Sequence, residues 1–523
     1  MKRFFREWKL ILVGLIALGA FFARLYNLTI LPVFVDEAIY IRWSQVMQAE
    51  ATLRFLPLSD GKQPLFMWIM IPFLKIFSDP LFAGRFISVL SGFGTMIGVG
   101  FLSWLLFRSK KAALAAGIIY AVSPFTFFFD RLALADSLLS MFGIWTFIFS
   151  YLAVTKLRLD FAMLAGFALG GAWLTKSPAL FFVLMLPTLW MFGNCPKGFK
   201  KNLVYLTKLT LLTLVTLTIS YAMYNILRLG PNFNLIASRN LDYVWPLSRL
   251  LTSPLDPFRP FLDRSFEWIR MMGPWALIPL WIAGYFVNLK KNWKTLLVLT
   301  IWFLVPILVQ SEFAKVLTAR YILFSIPYLI ILAGSVFIGE RKYLTPALAV
   351  VLGLFVAQAV VFDYRLLVSP EKANLPNSER SGYLEEWTAG TGIKEIAGFL
   401  KSEQAKNPKE KIVVGTEGYF GTLPDGLKMY LADTPSITVI GTGLDFNQVP
   451  QSLLESLKFG NKTYLVVNSS RLKIQSEDFA KNGLKVITSY KKSDRREKDT
   501  HEYIWYGLYD TMYLFEIINN GKN

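Results

Sequence analysis

Long apolar runs separated by short polar segments dominate the first two thirds of the chain. A helix that crosses a bilayer needs about 20 mostly apolar residues. Eleven runs approach or exceed this length, at residues 8–26, 81–107, 112–129, 136–155, 160–175, 177–194, 203–227, 274–289, 295–311, 320–338 and 343–362. The pattern therefore predicts an α-helical polytopic membrane protein with about eleven transmembrane helices. The first run is interpreted as a retained helix, because no cleavage site followed by a soluble domain comes after it.

A further apolar segment, residues 63–77, is too short for a span and contains Pro72 and Lys75. Its length suits an interfacial or re-entrant helix. With this segment at the interface, the basic loops fall on the side of the N-terminus, as the positive-inside rule requires. These loops contain Arg108, Lys110 and Lys111; Lys156 and Arg158; Lys197, Lys200 and Lys201; Lys290, Lys291 and Lys294; and Arg341 and Lys342. The prediction is a plasma-membrane protein with a cytoplasmic N-terminus and an extracytoplasmic C-terminus.

The pattern changes after residue 362, where short strand-like runs alternate with amphipathic stretches. Strands are predicted at 412–415, 437–440, 464–468, 486–490, 503–509 and 512–517, and helices at 393–405, 448–458 and 475–482. We therefore expect a transmembrane domain at residues 1–362, with outer-face loops 27–80 and 228–273, and a soluble extracytoplasmic α/β domain at 363–523. No internal repeat or low-complexity tract is evident.

Composition and charge agree with this division. The chain has 523 residues, of which 54% are hydrophobic and 17% charged, and a net charge of +19. Residues 1–362 hold 34 basic against 15 acidic side chains, whereas the remainder is neutral, with 21 of each. The excess indicates cytoplasmic loops and contact with membrane lipids. It does not indicate nucleic-acid binding, because no basic run is interleaved with exposed aromatics.

The chain contains one cysteine, Cys195, and one histidine, His501. These counts exclude an intrachain disulfide and a metal site rich in His or Cys. A divalent cation held by carboxylates stays possible. His501 lies in a charged stretch and is expected at the surface.

Two adjacent carboxylates, Asp36 and Glu37, lie just past the first apolar run. Charges at a membrane exit are costly and commonly face a cavity or a partner. In the predicted topology they share the outer face with a set of charges of both signs: Lys62, Arg131, Asp136, Lys176, Glu312 and Arg320. The set predicts a site. Any one member could instead be an interfacial anchor, and the two acids could simply cap the helix that begins at Ala38.

Four motifs occur in order along residues 1–340. They are Asp36-Glu-Ala-x-Tyr40 with Asp60-Gly-Lys62-Gln-Pro64, Ser123-Pro124 with Arg131 to Asp136, Leu174-Thr-Lys176-Ser-Pro178, and Ala319-Arg320-Tyr321. Together they resemble the GT-C membrane glycosyltransferases, and most closely the protein-mannosyltransferase and aminoarabinose-transferase branch. The resemblance implies transfer of a sugar from a polyprenyl-phosphate carrier to a glycan, lipid or protein acceptor outside the cytoplasm.

The resemblance also implies roles for individual residues. Asp36, with Glu37 beside it, would be the general base that takes the proton of the acceptor hydroxyl. The departing lipid phosphate needs fixed cations, which implies Lys62, Arg131, Lys176 and Arg320, with Tyr321. Tyr40 and Asp136 would support them, Asp136 by orienting Arg131 or by binding a cation. Some relatives bind zinc through an acidic residue before the lysine and a histidine, but here Gly61 precedes Lys62 and no histidine occurs before His501.

Two other functions stay open. A transporter or flippase of lipid-linked sugars should show inverted repeats and helices broken near the bilayer midplane. Neither is clear in this chain, and its charges gather at one face. A non-catalytic envelope assembly protein would keep the same motifs, and in that case the C-terminal domain would be the working part.

Overall fold

The computed structural model describes residues 2–339 and 344–519. Helices dominate it. They are α1 (Lys2–Leu25), α2 (Val35–Ala49), α3 (Leu65–Ile76), α4 (Pro80–Phe107), α5 (Lys110–Val122), α6 (Pro124–Phe129), α7 (Ala135–Lys156), α8 (Leu159–Thr175), α9 (Leu180–Met185), α10 (Phe199–Tyr224), α11 (Leu235–Tyr243), α12 (Arg249–Thr252), α13 (Phe258–Met272), α14 (Leu277–Asn288), α15 (Trp293–Phe313), α16 (Ile326–Gly334), α17 (Leu344–Val368), α18 (Asn377–Arg380), α19 (Ile393–Lys406), α20 (Thr422–Tyr430), α21 (Gln451–Lys458) and α22 (His501–Tyr506).

The chain forms two compact units. The helical unit consists of Met1–Asn27, Ala51–Ile69 and Arg85–Pro376, and the sheet unit of Leu28–Glu50, Met70–Gly84 and Asn377–Asn523. The sheet unit therefore includes two segments from early in the chain. The domain limits drawn from the hydrophobic pattern, at residues 362 and 363, stay a prediction.

Six helices of the described residues are long and apolar enough to cross a membrane. They are Pro80–Phe107, Ala135–Lys156, Phe199–Leu229, Trp293–Phe313, Ala319–Phe337 and Thr345–Val368. Shorter apolar helices accompany them at Gly14–Leu25, Leu65–Ile76, Leu159–Thr175, Ser177–Phe192 and Leu277–Asn288. The protein is a multi-pass membrane protein. The count of eleven spans and their orientation stay predictions, and the basic pair Arg341 and Lys342 lies outside the described residues.

The segment predicted to lie at the interface forms α3, with 12 residues and Pro72 in its interior. At 1.5 Å of rise per residue this helix is about 18 Å long, well below the thickness of a bilayer core. It is therefore too short to span the membrane as a straight helix. The predicted outer loop 228–273 is largely helical and holds α11, α12 and α13.

Small residues bring the helices around the site close together. Ile219 and Met223 of α10 pack directly over Gly166 and Gly170 of α8, where a Cβ atom would collide with them. Membrane helices use such small residues to approach closely, since the hydrophobic effect does not drive their association in lipid. The contact fixes α8 against α10.

Helices α7 and α8 run antiparallel, because only Leu157 and Arg158 separate them. The carboxyl end of α8 therefore returns to the level at which α7 begins. This return brings the residue after α8, Lys176, to the first turn of α7, which holds Asp136. The geometry of the candidate site follows from this hairpin.

The sheet unit contains a five-stranded mixed sheet and a two-stranded one. The strands are β1 (Val33–Phe34), β2 (Ala389–Gly390), β3 (Ile412–Glu417), β4 (Ile437–Gly443), β5 (Lys462–Asn468), β6 (Leu484–Lys491) and β7 (Thr511–Ile517). The order in the large sheet is β4-β3-β5-β7-β6. Strand β3 is parallel to β4 and β5, and β7 is antiparallel to β5 and β6. Antiparallel pairing of β1 with β2 attaches the early segment to this unit.

Five of the six predicted strands are present, as β3 to β7. The sixth, at 503–509, is wrong, because this segment begins with α22. The Oγ1 atom of Thr500 accepts a hydrogen bond from the Tyr503 N–H and caps the helix. Of the predicted helices, 393–405 and 448–458 correspond to α19 and α21, whereas 475–482 forms only two short 3₁₀ turns.

Candidate active site

Lys176 lies at the centre of a cluster that joins three of the sequence motifs. Its Nζ atom is 2.6 Å from Oδ1 of Asp136. The same Nζ lies 4.3 Å from the ring centroid of Tyr321. The Lys176 side chain is 23% exposed and that of Asp136 is 6% exposed. The structure thus brings together two residues predicted to bind the donor phosphate and one predicted to support them.

Arg320 extends this cluster. Its guanidinium carbon lies 5.4 Å from the ring centroid of Tyr321, at the start of a 3₁₀ helix over Ala319–Ser325. The Tyr321 ring therefore contacts two cations, and such contacts are worth about 0.5–2 kcal/mol each. Two cations and one carboxylate leave these four side chains with a net positive charge, which suits an anionic ligand.

Lys62 belongs to a second polar group of the helical unit. Its Nζ atom is 3.4 Å from Oδ2 of Asp60, and Nη2 of Arg239 is 3.5 Å from Oδ1 of the same carboxylate. Gly61, between Asp60 and Lys62 in the sequence, has a positive φ of 64°. A side chain there would also collide with the Cβ of Arg239. The turn thus requires glycine, which explains why no acidic residue precedes the lysine.

A side-chain hydrogen bond joins the two lysine-bearing segments. Nε2 of Gln63 donates to Oγ of Ser177 at 2.8 Å. These residues directly follow Lys62 and Lys176 in the sequence. The contact brings the second element of the first motif next to the third motif, within the helical unit.

Arg131 does not join the cluster. Only 3% of it is exposed. Its guanidinium nitrogens donate to four backbone carbonyl oxygens at the end of α1, those of Ala23, Arg24, Tyr26 and Asn27, at 2.7–3.4 Å. These carbonyls have no partner inside the helix, and the arginine satisfies them. Arg131 therefore lies against the end of α1, and the cation that contacts Asp136 is Lys176. The role of Arg131 in phosphate binding stays a prediction.

Sequence reasoning missed a buried ion pair beside this site. Nε of Arg24 lies 3.2 Å from Oδ2 of Asp130. The hydroxyls of Tyr120 and Ser137 donate to the same carboxylate, at 3.3 and 3.0 Å. Ser137 lies in the first turn of α7, next to Asp136, so Asp130 helps to position that turn. The signal was a carboxylate at the end of an apolar run, which is rare without a purpose.

The other predicted residues, Asp36, Glu37 and Tyr40, lie on α2 in the sheet unit. Glu37 is fully buried, and its Oε2 accepts a hydrogen bond from the Phe34 N–H at 3.0 Å. This is the capping contact that the sequence left open as an alternative. Asp36 is partly exposed in the first turn, and the Tyr40 ring lies against Trp43, with 6.3 Å between centroids.

Within residues 2–339 and 344–519, no group of three or more His, Cys, Asp or Glu side chains is arranged to hold a metal ion. Lys176 contacts the Asp136 carboxylate and the Tyr321 ring, and the Arg320 guanidinium lies near the same ring. Such a set can hold an anion and keep it oriented.

Comparisons with known proteins follow this geometry. Residues 61–221 match the family model of dolichyl-phosphate-mannose-protein mannosyltransferases. That segment includes Lys62, Asp136 and Lys176, but not Asp36 or Tyr321. No curated protein sequence matches the chain.

Solved structures of ArnT from Cupriavidus metallidurans have the same fold along nearly the whole chain. The apo structure aligns with a TM-score of 0.59 and 16% identity, and covers 98% of each chain. The structure bound to undecaprenyl phosphate aligns with a TM-score of 0.55 and 17% identity, and covers 99% of each chain. The chain thus has the fold of these ArnT structures. Its resemblance to the mannosyltransferase and aminoarabinose-transferase branch of the GT-C glycosyltransferases is confirmed.

Proposed function

We propose that this GT-C protein is a membrane glycosyltransferase that moves a sugar from a polyprenyl-phosphate donor to an acceptor on the extracytoplasmic face. The observation that carries the proposal is the meeting of Lys176 with Asp136 and Tyr321. A net positive cluster at the end of an apolar helix suits a phosphate attached to a lipid. The ArnT structure bound to undecaprenyl phosphate supports such a donor by analogy of fold.

The cations act on the leaving group. As the bond between the anomeric carbon and the phosphate oxygen breaks, negative charge grows on the lipid phosphate. Lys176 and Arg320 stabilise this charge, and their contacts with Asp136 and Tyr321 hold them in place beforehand. One preorganised donor to a developing oxyanion is worth about 10²–10³ in kcat.

Lys62 is assigned a second contact to the donor phosphate. The assignment rests on the family motif and on the Gln63–Ser177 hydrogen bond, which joins its segment to that of Lys176. The Asp60 carboxylate, with Oδ2 at 3.4 Å from the Lys62 Nζ, restricts the position of the ammonium group. Two lysines and one arginine would then share the phosphate charge.

Asp36 is assigned the general base. It takes the proton of the acceptor hydroxyl while the hydroxyl oxygen attacks the anomeric carbon and polyprenyl phosphate leaves. Attack opposite to the leaving group inverts the anomeric configuration. The role falls to Asp36 rather than Glu37, because the Glu37 carboxylate is buried in the capping contact of α2. Tyr40, one turn further along α2, supports this turn.

The test is release of polyprenyl phosphate by the purified protein from a panel of polyprenyl-phosphate sugars. We expect release by the wild type and by Asp256→Asn, a control at a carboxylate that is 78% exposed, but not by Asp36→Asn. Release by Asp36→Asn at the wild-type rate would remove Asp36 as base. No release by folded wild type with any donor would refute the enzyme and favour a transporter or flippase of lipid-linked sugars.

A further inference from the structure

The carboxyl end of the five-stranded sheet is the end at which Glu417, Gly443 and Asn468 close the three parallel strands β3, β4 and β5. Strand β6 also ends there and β7 begins there, because β7 is antiparallel to both β5 and β6. The loop 492–510, which joins β6 to β7, therefore lies at the carboxyl end of the sheet. The residues that directly follow β3 and β4 lie there too.

Large apolar side chains are exposed at this end. The loop 492–510 contains α22, and Ile504 and Trp505 of this helix are 69% and 72% exposed. Three more exposed side chains of this kind follow within the next four residues: Tyr506, Leu508 and Tyr509. The residues that follow β3 and β4 add Tyr419, Phe420 and Leu444. Soluble surfaces rarely leave so many large apolar side chains in water unless they bind something there.

The opposite end of the same sheet is mainly polar. Residues 407–411 read Asn-Pro-Lys-Glu-Lys and precede β3, and residues 432–436 read Ala-Asp-Thr-Pro-Ser and precede β4. Among the described residues, the large apolar side chains exposed in the loops of this end are Phe459 and Ile518. The two ends thus differ in polarity, and the difference gives the sheet unit one face suited to an apolar environment.

Lysine ammonium groups lie beside two of the exposed rings. Nζ of Lys491 is 3.9 Å from the ring centroid of Tyr509, and Nζ of Lys473 is 5.7 Å from that of Tyr506. Tyrosine and tryptophan rings are enriched at the head-group level of membranes, where one part of the ring is apolar and the other is hydrated. Lysines at that level direct their ammonium groups towards water and lipid phosphates. The charges beside the rings therefore complement a lipid surface.

The chain also enters the sheet unit from the membrane at this end. Residues 369–376 separate α17, which is long and apolar enough to span a bilayer, from the main part of the sheet unit. Eight residues reach at most about 30 Å. The segment that follows them is bound to the residues just after β6. The Ser493 N–H donates to the Leu384 carbonyl oxygen at 3.1 Å, and Nζ of Lys492 donates to the Glu386 carbonyl oxygen at 3.0 Å. The carboxyl end is therefore the tethered end.

We infer that the carboxyl end of the sheet rests in the head-group layer of the membrane that holds the helices, with the loop 492–510 inserted deepest. Ile504 and Trp505 reach the boundary of the acyl chains and bury apolar surface there. Lys491 and Lys473 stay at the level of the lipid phosphates, beside Tyr509 and Tyr506. The inference concerns the membrane surface alone and does not depend on the sugar or on the reaction.

Contact with lipid is measured by fluorescence on the full-length protein in phosphatidylcholine nanodiscs that contain lipids with a nitroxide on the acyl chain. Cys195→Ser removes the one cysteine of the chain. Ile504→Cys, or Lys409→Cys in a separate variant, then carries an NBD label. Lys409 is exposed in the polar loop before β3 and is the matched control. We expect nitroxide lipids to quench the label at 504, with a blue shift of its emission, and the label at 409 to emit as in water.

A second set of variants tests the aromatic rings, with the label kept at 504. Trp505→Ser combined with Tyr509→Ser should lower the ratio of lipid-bound to water-exposed label about tenfold or more, because two buried rings are lost. Phe459→Ser removes an exposed ring from the opposite end and should leave this ratio unchanged. These side chains are exposed, so the variants should fold.

Three results would overturn the inference. They are equal quenching at 504 and 409, quenching at 504 that survives the loss of both rings, and a blue-shifted label at 504 that nitroxide lipids do not quench. The last result would show that a protein surface, such as a second copy of the chain, covers the loop instead of lipid.

Discussion

Replacing Lys176 with methionine would leave the Asp136 carboxylate nearly buried and without its cation. At 2.6 Å and an effective dielectric constant of 20, the attraction between the two charges is about 6 kcal/mol. Desolvation of both ions offsets much of it. Because an unpaired carboxylate then remains, we expect Lys176→Met to lower the free energy of unfolding by about 3–5 kcal/mol.

The double-mutant cycle with Asp136→Asn separates this structural role from a catalytic one. Once the carboxylate is neutral, the missing ammonium costs less stability. The double variant should therefore lose about 2–3 kcal/mol less than the sum of the two single variants. Its release of polyprenyl phosphate should stay about 10²–10³ below the wild type, because the phosphate still lacks a cation.

Stability is measured by pulse proteolysis of the full-length protein in one detergent, and turnover is measured on the same samples. Lys176→Arg is the control that keeps the charge, and it should retain more activity than Lys176→Met. Additive losses in stability would refute the ion pair as a coupled unit. Recovery of turnover in the double variant would refute Lys176 as a phosphate ligand.

Three further outcomes are expected. Lys62→Ala should raise the KM for the lipid-linked donor, whereas the KM for the acceptor should change little. An unchanged donor KM and kcat would show that Lys62 does not bind the donor phosphate. Arg131→Lys should destabilise the protein, because one ammonium cannot replace a guanidinium that donates to four carbonyl oxygens. The KM for the donor should stay at its wild-type value. A raised donor KM would indicate that Arg131 binds the donor. Burial raises the pKa of Asp425 above its ordinary value of 3.8, despite the hydrogen bond from the Gly421 N–H. The folded state then holds this proton more tightly than the unfolded one, so stability falls as pH rises from about 4 through the raised pKa. In thermal melts between pH 4 and 7, Asp425→Asn should reduce the loss of stability with rising pH. An unchanged dependence of stability on pH would contradict this.

Hydrophobic periodicity predicted the helices and strands, because residues buried in lipid or in a sheet are apolar and recur at the spacing of the element. It located five strands of the sheet unit and most long helices. It failed at 503–509, where aromatic and β-branched residues favour a strand but the Thr500 cap starts a helix. The strand propensity of these residues does not indicate whether a helix cap or a strand pairing is formed.

The site was predicted only as a set of motifs. The partner of Asp136 depends on where α8 returns after its hairpin with α7, whereas the family resemblance implied either Arg131 or a bound cation. Membership of α2 in the sheet unit is not visible in the hydrophobic pattern. It depends on β1, a two-residue strand that pairs with residues more than 350 positions away and leaves no periodic signal.

That pairing has a consequence for biosynthesis. Helix α2, whose Ala38 and Ile41 are buried on one side, is translated and leaves the ribosome long before β2 and α20 exist. Until the last third of the chain has been made, this helix has no partner to cover it, and exposed apolar surface of this kind attracts chaperones and favours aggregation. A chain that stops after Pro376 would leave this surface permanently uncovered, so premature termination should produce a protein cleared by quality control rather than a free-standing membrane part.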